Sequence, residues 1–257
     1  MKREKIALER LKEEKYRRVI CYPIYKREDF QRRLRELARL HVEAVEFTGQ
    51  KSVYNIPILG KGCVGLVVVA YRENEKVALK IRRTDADRAT MRREAHFLKK
   101  ANKIGIGTRL FDFTPNFLLM EYVEGVLLPE WIKTVKGKGA KEMLGSVLRS
   151  VLEQAWRLDQ AGLDHGELSN APKHIIIKPD DTPCIVDFES ASVSRRVSNV
   201  TSICQYLFVR SSVAETVQRK LDIDVHSLVD SLRIYKKMKN RESFEEVLSR
   251  CKVFEAH

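Results

Sequence analysis

The chain has 257 residues, of which 44% are hydrophobic, enough apolar material for one two-lobed domain or two small ones. No run approaches the ~18 apolar residues of a membrane span, and the start Met-Lys-Arg-Glu-Lys-Ile carries no apolar signal region, so a cytoplasmic protein without a membrane partner is expected. The five cysteines form no C-x-x-C pair and the six histidines no H-x-x-x-H pair, which argues against a disulfide framework and a zinc site, while a net charge of +13 suits acidic partners such as RNA or a ribosomal particle.

Residues 1–20 are charged, with Ile6, Leu8, Leu11 and Val19 loosely spaced, and read as an exposed or partner-docking helix that Cys21-Tyr-Pro-Ile-Tyr25 breaks. Asp29 is placed to cap a second helix. In it Phe30, Leu34, Leu37 and Leu40 make one apolar stripe, and Arg32, Arg33, Arg35 and Arg39 lie on the solvated face. Residues 1–44 are therefore expected to form a helical amino-terminal extension.

From about residue 45 to 121 the pattern is mostly strands. Leu59-Gly-Lys-Gly-Cys-Val-Gly-Leu-Val67 holds Gly60, Gly62 and Gly65 in the spacing G-x-G-x-x-G. A dinucleotide-binding loop of that spacing opens a helix. Here it runs instead into the β-branched stretch Leu66–Tyr71, a turn at Arg72-Glu-Asn-Glu75, and a second apolar run ending in Lys80, Val77-Ala-Leu-Lys. Glycines let backbone N–H groups approach a phosphate without a Cβ in the way, and a lysine supplies a point charge for it. Lys61 lies within the loop, and Val67 and Ala78 are expected above and below a flat apolar ring. One helix interrupts the strands, Ala89 to Asn102, with Met91, Ala95 and Leu98 at helical spacing and Glu94 placed to pair with Lys80. Phe117-Leu-Leu-Met120 reads as a buried strand and Glu121-Tyr-Val-Glu-Gly125 as a hinge. Beyond Gly125 the chain reads as mainly helical. Met143, Val147, Val151 and Ala155, with Leu144, Leu148 and Leu152, give a long helix a wide apolar face, and Gly162 is placed to end it.

Directly after that helix comes Leu163-Asp-His-Gly-Glu-Leu-Ser-Asn-Ala-Pro-Lys-His174, then the strand Ile175–Ile177, a turn at Lys178-Pro-Asp-Asp-Thr-Pro183, and Cys184-Ile-Val-Asp-Phe-Glu189. The tail is helical: Ile203–Val209 is apolar, Val225–Met238 is amphipathic, and Ser243-Phe-Glu-Glu246 fits a capping box.

Glycine loop, strand, turn, strand, lysine, hinge, polar loop, hairpin and Asp-Phe, in that order, resemble the protein-kinase-like superfamily, most closely its minimal archaeal branches near the RIO kinases. The resemblance covers residues 45 to about 190. It implies an α+β, two-lobed protein-kinase-like fold: a small, mainly antiparallel β lobe with one helix over 45–123, and a mainly helical, short lobe over 124–257. It implies ATP and Mg²⁺ as cofactors and transfer of the γ-phosphate to a serine or threonine hydroxyl of an unknown protein substrate. Gly60, Lys61, Gly62, Gly65, Val67, Ala78, Lys80 and Glu94 would then hold the nucleotide, with Met120 at the back of the adenine pocket and the main chain of Glu121 and Val123 on the adenine edge. His165-Gly-Glu-Leu168 matches the family's His-x-Asp-Leu, so His165 becomes a structural histidine and Glu167 stands at the catalytic aspartate, one methylene longer. Asp187 matches the metal-binding aspartate, with Glu189 where the family has glycine. The position of the second metal ligand, an asparagine in the family, falls on His174, or its role passes to Asn170. Histidine is a poor ligand for Mg²⁺. No proline follows Asp187, so an Ala-Pro-Glu motif and the usual activation segment are absent. The same resemblance admits two other functions: an ATP-binding switch, slow ATPase or pseudokinase in an RNA- or ribosome-related assembly, and a small-molecule kinase.

Overall fold

The computed structural model describes residues 4–253 and resolves into two units, one of residues up to Lys99 with Thr108–Tyr122, the other of Lys100–Gly107 with the chain from Val123 onward. It is α+β, with antiparallel sheets and helices in both units.

The first unit starts with strand β1 (Lys5–Ala7), a 3₁₀ turn (Leu8–Lys12), and helices α1 (Glu14–Ile20) and α2 (Arg27–Arg39). Strands β2 (Ala44–Glu46), β3 (Lys51–Val53), β4 (Ile56–Ile58), β5 (Gly60–Lys61), β6 (Gly65–Arg72) and β7 (Glu75–Arg82) follow. Helix α3 (Arg92–Lys103), β8 (Leu110–Phe113) and β9 (Phe117–Glu121) come next. The main sheet runs β1-β2-β6-β7-β9-β8, with β5 also on β6, and every pairing is antiparallel. A register shift between Leu110 and Asp112 breaks the ladder of β8 on β9. The long β6–β7 hairpin closes through Glu73 and Asn74, both at positive φ (52° and 64°), as a twist-matched two-residue turn requires.

Alternation sorts this hairpin into two faces. Leu66, Val68 and Ala70, Val77, Leu79 and Ile81, and Phe117 and Leu119 are buried in one core cluster. The cross-strand partners put Val67, Val69, Ala78, Lys80, Leu118 and Met120 on the opposite face.

The amino-terminal 44 residues differ from the expected helical extension. Of residues 1–20, the first three lie outside the described residues. The rest form a strand, a 3₁₀ turn and a seven-residue helix rather than one helix. Ile6, Leu11, Tyr16, Val19, Ile20, Phe30, Leu37 and Leu40 belong to the same core cluster as the sheet, so the segment covers the sheet's apolar face. Asp29 does not cap α2. It lies in the first turn, Lys26 holds the cap position, and the Asp29 carboxylate pairs with Arg32 and Arg33. Arg33 is not on a solvated face but fully buried. Its Nε donates to Asp29 Oδ2 (2.8 Å), and its Nη1 to the carbonyls of Ile20 (2.9 Å) and Arg82 (2.7 Å). Burying the cation is tolerable because carboxylate and carbonyls replace its water.

The second unit holds β10 (Val126–Leu127), α4 (Leu128–Thr134), α5 (Ala140–Gln160), β11 (Ile175–Ile177) and β12 (Pro183–Ile185). It continues with α6 (Asn199–Cys204), a π-helical turn (Gln205–Val209), α7 (Ser212–Leu221), α8 (Val225–Met238) and α9 (Arg241–Arg250). Strands β10-β11-β12 form a small antiparallel sheet. Strand β10 interrupts a stretch that reads as helical in sequence. A Cβ on Gly125 would lie 2.2 Å from the Ile177 carbonyl oxygen, so only glycine lets β10 enter against β11. Helix α5 buries Leu144, Val147, Leu148, Val151, Leu152 and Ala155 as expected, but Met143 is exposed. Gly162, at φ +67°, follows its end. Helix α8 has the expected bounds. Helix α9 is capped by Asn240, whose side chain accepts from the Ser243 amide, and not by Ser243. No described helix is long and apolar enough to cross a membrane.

Candidate functional site

In the first unit the glycine stretch, the lysine and the helix glutamate meet. Gly60 lies opposite Val67, Val67 opposite Lys80, and Lys80 opposite Leu118, so four strands align them in one row. The loop between β5 and β6 closes through the Gly62 amide on the Gly65 carbonyl (2.8 Å). Arg83 braces it, its amide on the Val64 carbonyl (2.8 Å) and its Nη1 on the Gly62 carbonyl (3.3 Å). A Cβ on Gly65 would lie 3.1 Å from Lys80 Cγ and 2.9 Å from the Ile81 carbonyl oxygen. Here the glycine makes room for the lysine stem. Lys80 Nζ then reaches Glu94 Oε1 at 2.8 Å, with both side chains 4% exposed. A buried ion pair repays its desolvation poorly, so it is a costly device for stability alone.

Other residues of this set behave differently. Val67 and Ala78 lie on the same face of the sheet and thus form one wall; they cannot lie above and below one ring. Lys61 is exposed and its Nζ stands 4.9 Å over the Tyr22 ring. Met120 shares the Ala78 row, and its sulfur accepts from Thr108 Oγ1 (3.4 Å). The Glu121 amide donates to the Arg109 carbonyl (2.8 Å). Val123 falls in the second unit.

In the second unit, residues distant in sequence converge on Glu167. Its Oε1 accepts from Ser190 Oγ at 2.5 Å, and its Oε2 lies 2.9 Å from His174 Nε2. The far nitrogen of that ring, Nδ1, lies 3.8 Å from Asp187 Oδ2. His174 is completely buried between the two carboxylates, at ion-pair distance but at angles poor for hydrogen bonds. Partial burial pushes the Glu167 carboxyl up, but the Ser190 hydroxyl and His174 outweigh it and the net shift is downward, favouring the carboxylate. Asp187 sits at φ +73°, a left-handed conformation uncommon outside glycine that costs about 1 kcal/mol or more and redirects the chain after β12. Asn170 is exposed on the 3₁₀ turn Leu168–Asn170 and joins none of these contacts; Glu189 is buried.

A buried network holds the loop from below. The His165 amide donates to Asn199 Oδ1 (2.8 Å), and His165 Nε2 meets the Val186 carbonyl (3.1 Å), which assigns the proton to Nε2. The ring packs on Phe188 (4.9 Å). Burial, with His174 close by, lowers the His165 pKa to about 4, so the ring is neutral. Asn199 Nδ2 donates to Asp159 Oδ1 and the Leu163 carbonyl, each at 2.8 Å. Asp159 also accepts the Asn199 and Val200 amides and the Tyr235 hydroxyl, so it caps α6 from outside that helix. Its burial raises the carboxyl pKa despite these donors. On the other side, Asp164 Oδ2 pairs with Arg195 Nε (2.9 Å), and Asp164 and Ser192 exchange backbone bonds. Sequence reasoning missed Ser190, Asp159, Asn199 and Arg195, whose partners lie 23 to 76 residues away.

Among the described residues no group of three or more His, Cys, Asp or Glu side chains is arranged to hold a metal ion. Mg²⁺ does not need one, because it is commonly held by one or two carboxylates with phosphate oxygens and water. Asp187, 24% exposed, offers such a carboxylate, whereas His174 is engaged between Glu167 and Asp187. Asp187 is thus one carboxylate that a cation could use if it brought phosphate oxygens and water with it.

No family model matches the chain. It is similar to "Uncharacterized protein MJ1211" of Methanocaldococcus jannaschii, with 28% identity over 109 residues that span 42% of this chain and 89% of that protein.

Proposed function

We propose that the protein is an ATP-dependent phosphotransferase of the two-lobed protein-kinase type, acting as an atypical serine/threonine protein kinase. The observation that carries this reading is the dry Lys80–Glu94 pair at 2.8 Å, aligned with a glycine loop. In this reading Glu94 fixes the lysine head so that it meets nucleotide phosphates as a preset charge, with little reorganisation. Gly60, Gly62 and Gly65 let backbone amides approach those phosphates, and Val67 and Ala78 give the base an apolar wall. Mg²⁺, held through Asp187, would screen the charge of the phosphates. Glu167 is ionised and takes the proton of the acceptor hydroxyl. His174 and the buried network under His165 hold its carboxylate in place.

One observation favours a second reading, an ATP-binding switch: both Glu167 oxygens already face groups of this chain, Ser190 and His174.

The test is incubation of the full chain with Mg-ATP labelled at the γ-phosphate and a generic protein acceptor. Label on protein that vanishes in Asp187→Ala and in Glu167→Ala supports the kinase. Tight ATP binding without labelled protein supports the switch. Equal ATP affinity in wild type and Lys80→Ala rejects both.

A further inference from the structure

The Lys80–Glu94 pair joins β7 to α3, and one turn of the first unit holds the segments that carry both partners. Residues 114–116 connect β8 to β9. The Asn116 carbonyl accepts the Arg82 amide (2.8 Å), and Asn116 Oδ1 accepts from Arg82 Nε (3.1 Å) and Nη2 (2.9 Å). Arg82 lies two residues after Lys80 on β7, and thus on the same face. The adjoining Pro115 carbonyl accepts the amide of Met91, three residues before Glu94 (3.0 Å). Arg82 Nη1 ties down the loop between β7 and α3 by donating to the carbonyls of Arg83 and Arg88, each at 3.1 Å.

Helix α2 grips this turn. Glu36 Oε2 accepts the Asn116 amide (2.9 Å) and Glu36 Oε1 accepts Asn116 Nδ2 (2.6 Å). Arg33, one turn earlier on the same side of the helix, adds its bond to the Arg82 carbonyl. Glu36 is 9% exposed and Asn116 2%, so water does not replace these bonds if they break. Asn116 has to be an amide, because it donates to a carboxylate and accepts from a guanidinium at once. Both Glu36 oxygens and both polar atoms of the Asn116 side chain are engaged. A satisfied buried network adds little net stability but fixes one arrangement.

We infer that Glu36 and Asn116 are positioning residues: through Arg82 and the Met91 amide they set β7 against α3 so that Lys80 meets Glu94. This rests on the phosphotransferase reading above, and it makes α2 part of what holds the phosphates.

The test compares the affinity of the full chain for ATP with that for adenosine, which lacks the phosphates, by calorimetry. Glu36→Gln puts a donor where an acceptor is needed. It should lower ATP affinity about tenfold while adenosine binds as to wild type. Asn116→Asp sets two carboxylates against each other and should act alike. Combining the two restores the pattern, with the introduced amide donating to the introduced carboxylate, and should regain wild-type ATP affinity. In a Lys80→Ala background Glu36→Gln should change ATP affinity no further. Thermal melting shows that each variant is folded. The wild type supplies a check without any variant: ATP, and not adenosine, should slow hydrogen exchange at the Met91 and Asn116 amides. Equal losses for ATP and adenosine, no loss for either, or a double variant no better than the single ones overturns the inference. Exchange at those amides that ATP leaves unchanged overturns it even where a variant unfolds. Equal ATP affinity in wild type and Lys80→Ala overturns the phosphotransferase reading, and the inference with it.

Discussion

Lys80 and Glu94 meet in a dry setting, each side chain 4% exposed, whereas Glu167 and Asp187 are 28% and 24% exposed on either side of a fully buried histidine. The first pair is held by strand register and helix packing, so its geometry is built in when the sheet forms. The second group sits on loops, with Glu167 hydrogen-bonded to Ser190 23 positions away and the loop beneath it supported by a buried network whose members lie up to 76 positions apart. On the phosphotransferase reading proposed above, a charge that meets phosphates gains from being preset, while a base that exchanges protons needs contact with water.

Breaking the dry pair gives the largest effect. Lys80→Ala should lower unfolding stability by about 3–5 kcal/mol, as loss of one partner of a buried ion pair does. The double replacement Lys80→Met with Glu94→Leu should recover most of that loss while leaving ATP affinity low. Urea titration and nucleotide binding read the two separately, and a double variant as unstable as the single one would show that the pair is needed for folding.

The second region should respond to pH through a buried histidine. His165 is buried neutral with a pKa of about 4 against an ordinary 6.5. The unfolded chain therefore binds more protons between those values, and stability rises with pH through that window. From pH 7 down to pH 4 the wild type should lose up to ~3 kcal/mol through this residue. Asp159, with its raised pKa, works in the opposite sense, so the measurement is the difference between wild type and His165→Gln, whose melting curves should converge as the pH falls. Parallel curves would remove His165 from the acid response.

Asn199→Ala tests the support beneath the loop. It deprives the His165 amide and the Leu163 carbonyl of partners and should cost about 2 kcal/mol. On the proposed reading, the variant should lose transfer rate with little change in ATP affinity, since Lys80 and the glycine loop are untouched. The smallest effect is electrostatic. Ser190→Ala removes a donor that holds the Glu167 carboxyl down, so that carboxyl should titrate higher. The acid limb of the transfer rate against pH should move up with it.

The two regions also differ in how far they can be read from the chain. Gly60 to Lys80 is legible because its elements are local: a two-residue turn, period-two alternation and a glycine spacing all lie within two consecutive hairpins. Helix α8 is legible for the same reason. The burial of Arg33 is not, because an arginine at a helical surface position looks solvated until Ile20 and Arg82 are known to lie over it. The Asn240 cap is not legible either, because asparagine and serine both cap helices and the pattern does not choose between Asn240 and Ser243. Around Glu167 the histidine and Asp187 come from hairpin order, but the Ser190 contact and the Asp159–Asn199 bonds join side chains across turns that leave no periodic trace.

The margins of the large sheet show how this sheet avoids sticking to others. At one border β1 is three residues long, and Lys5 within it stands 3.7 Å over the Tyr71 ring. At the other, β8 breaks register on its neighbour between Leu110 and Asp112. A short charged strand and a kinked one are poor templates for another chain's backbone. A version of the chain lacking residues 1–8 should therefore show the change first as concentration-dependent turbidity, with β2 as the new rim.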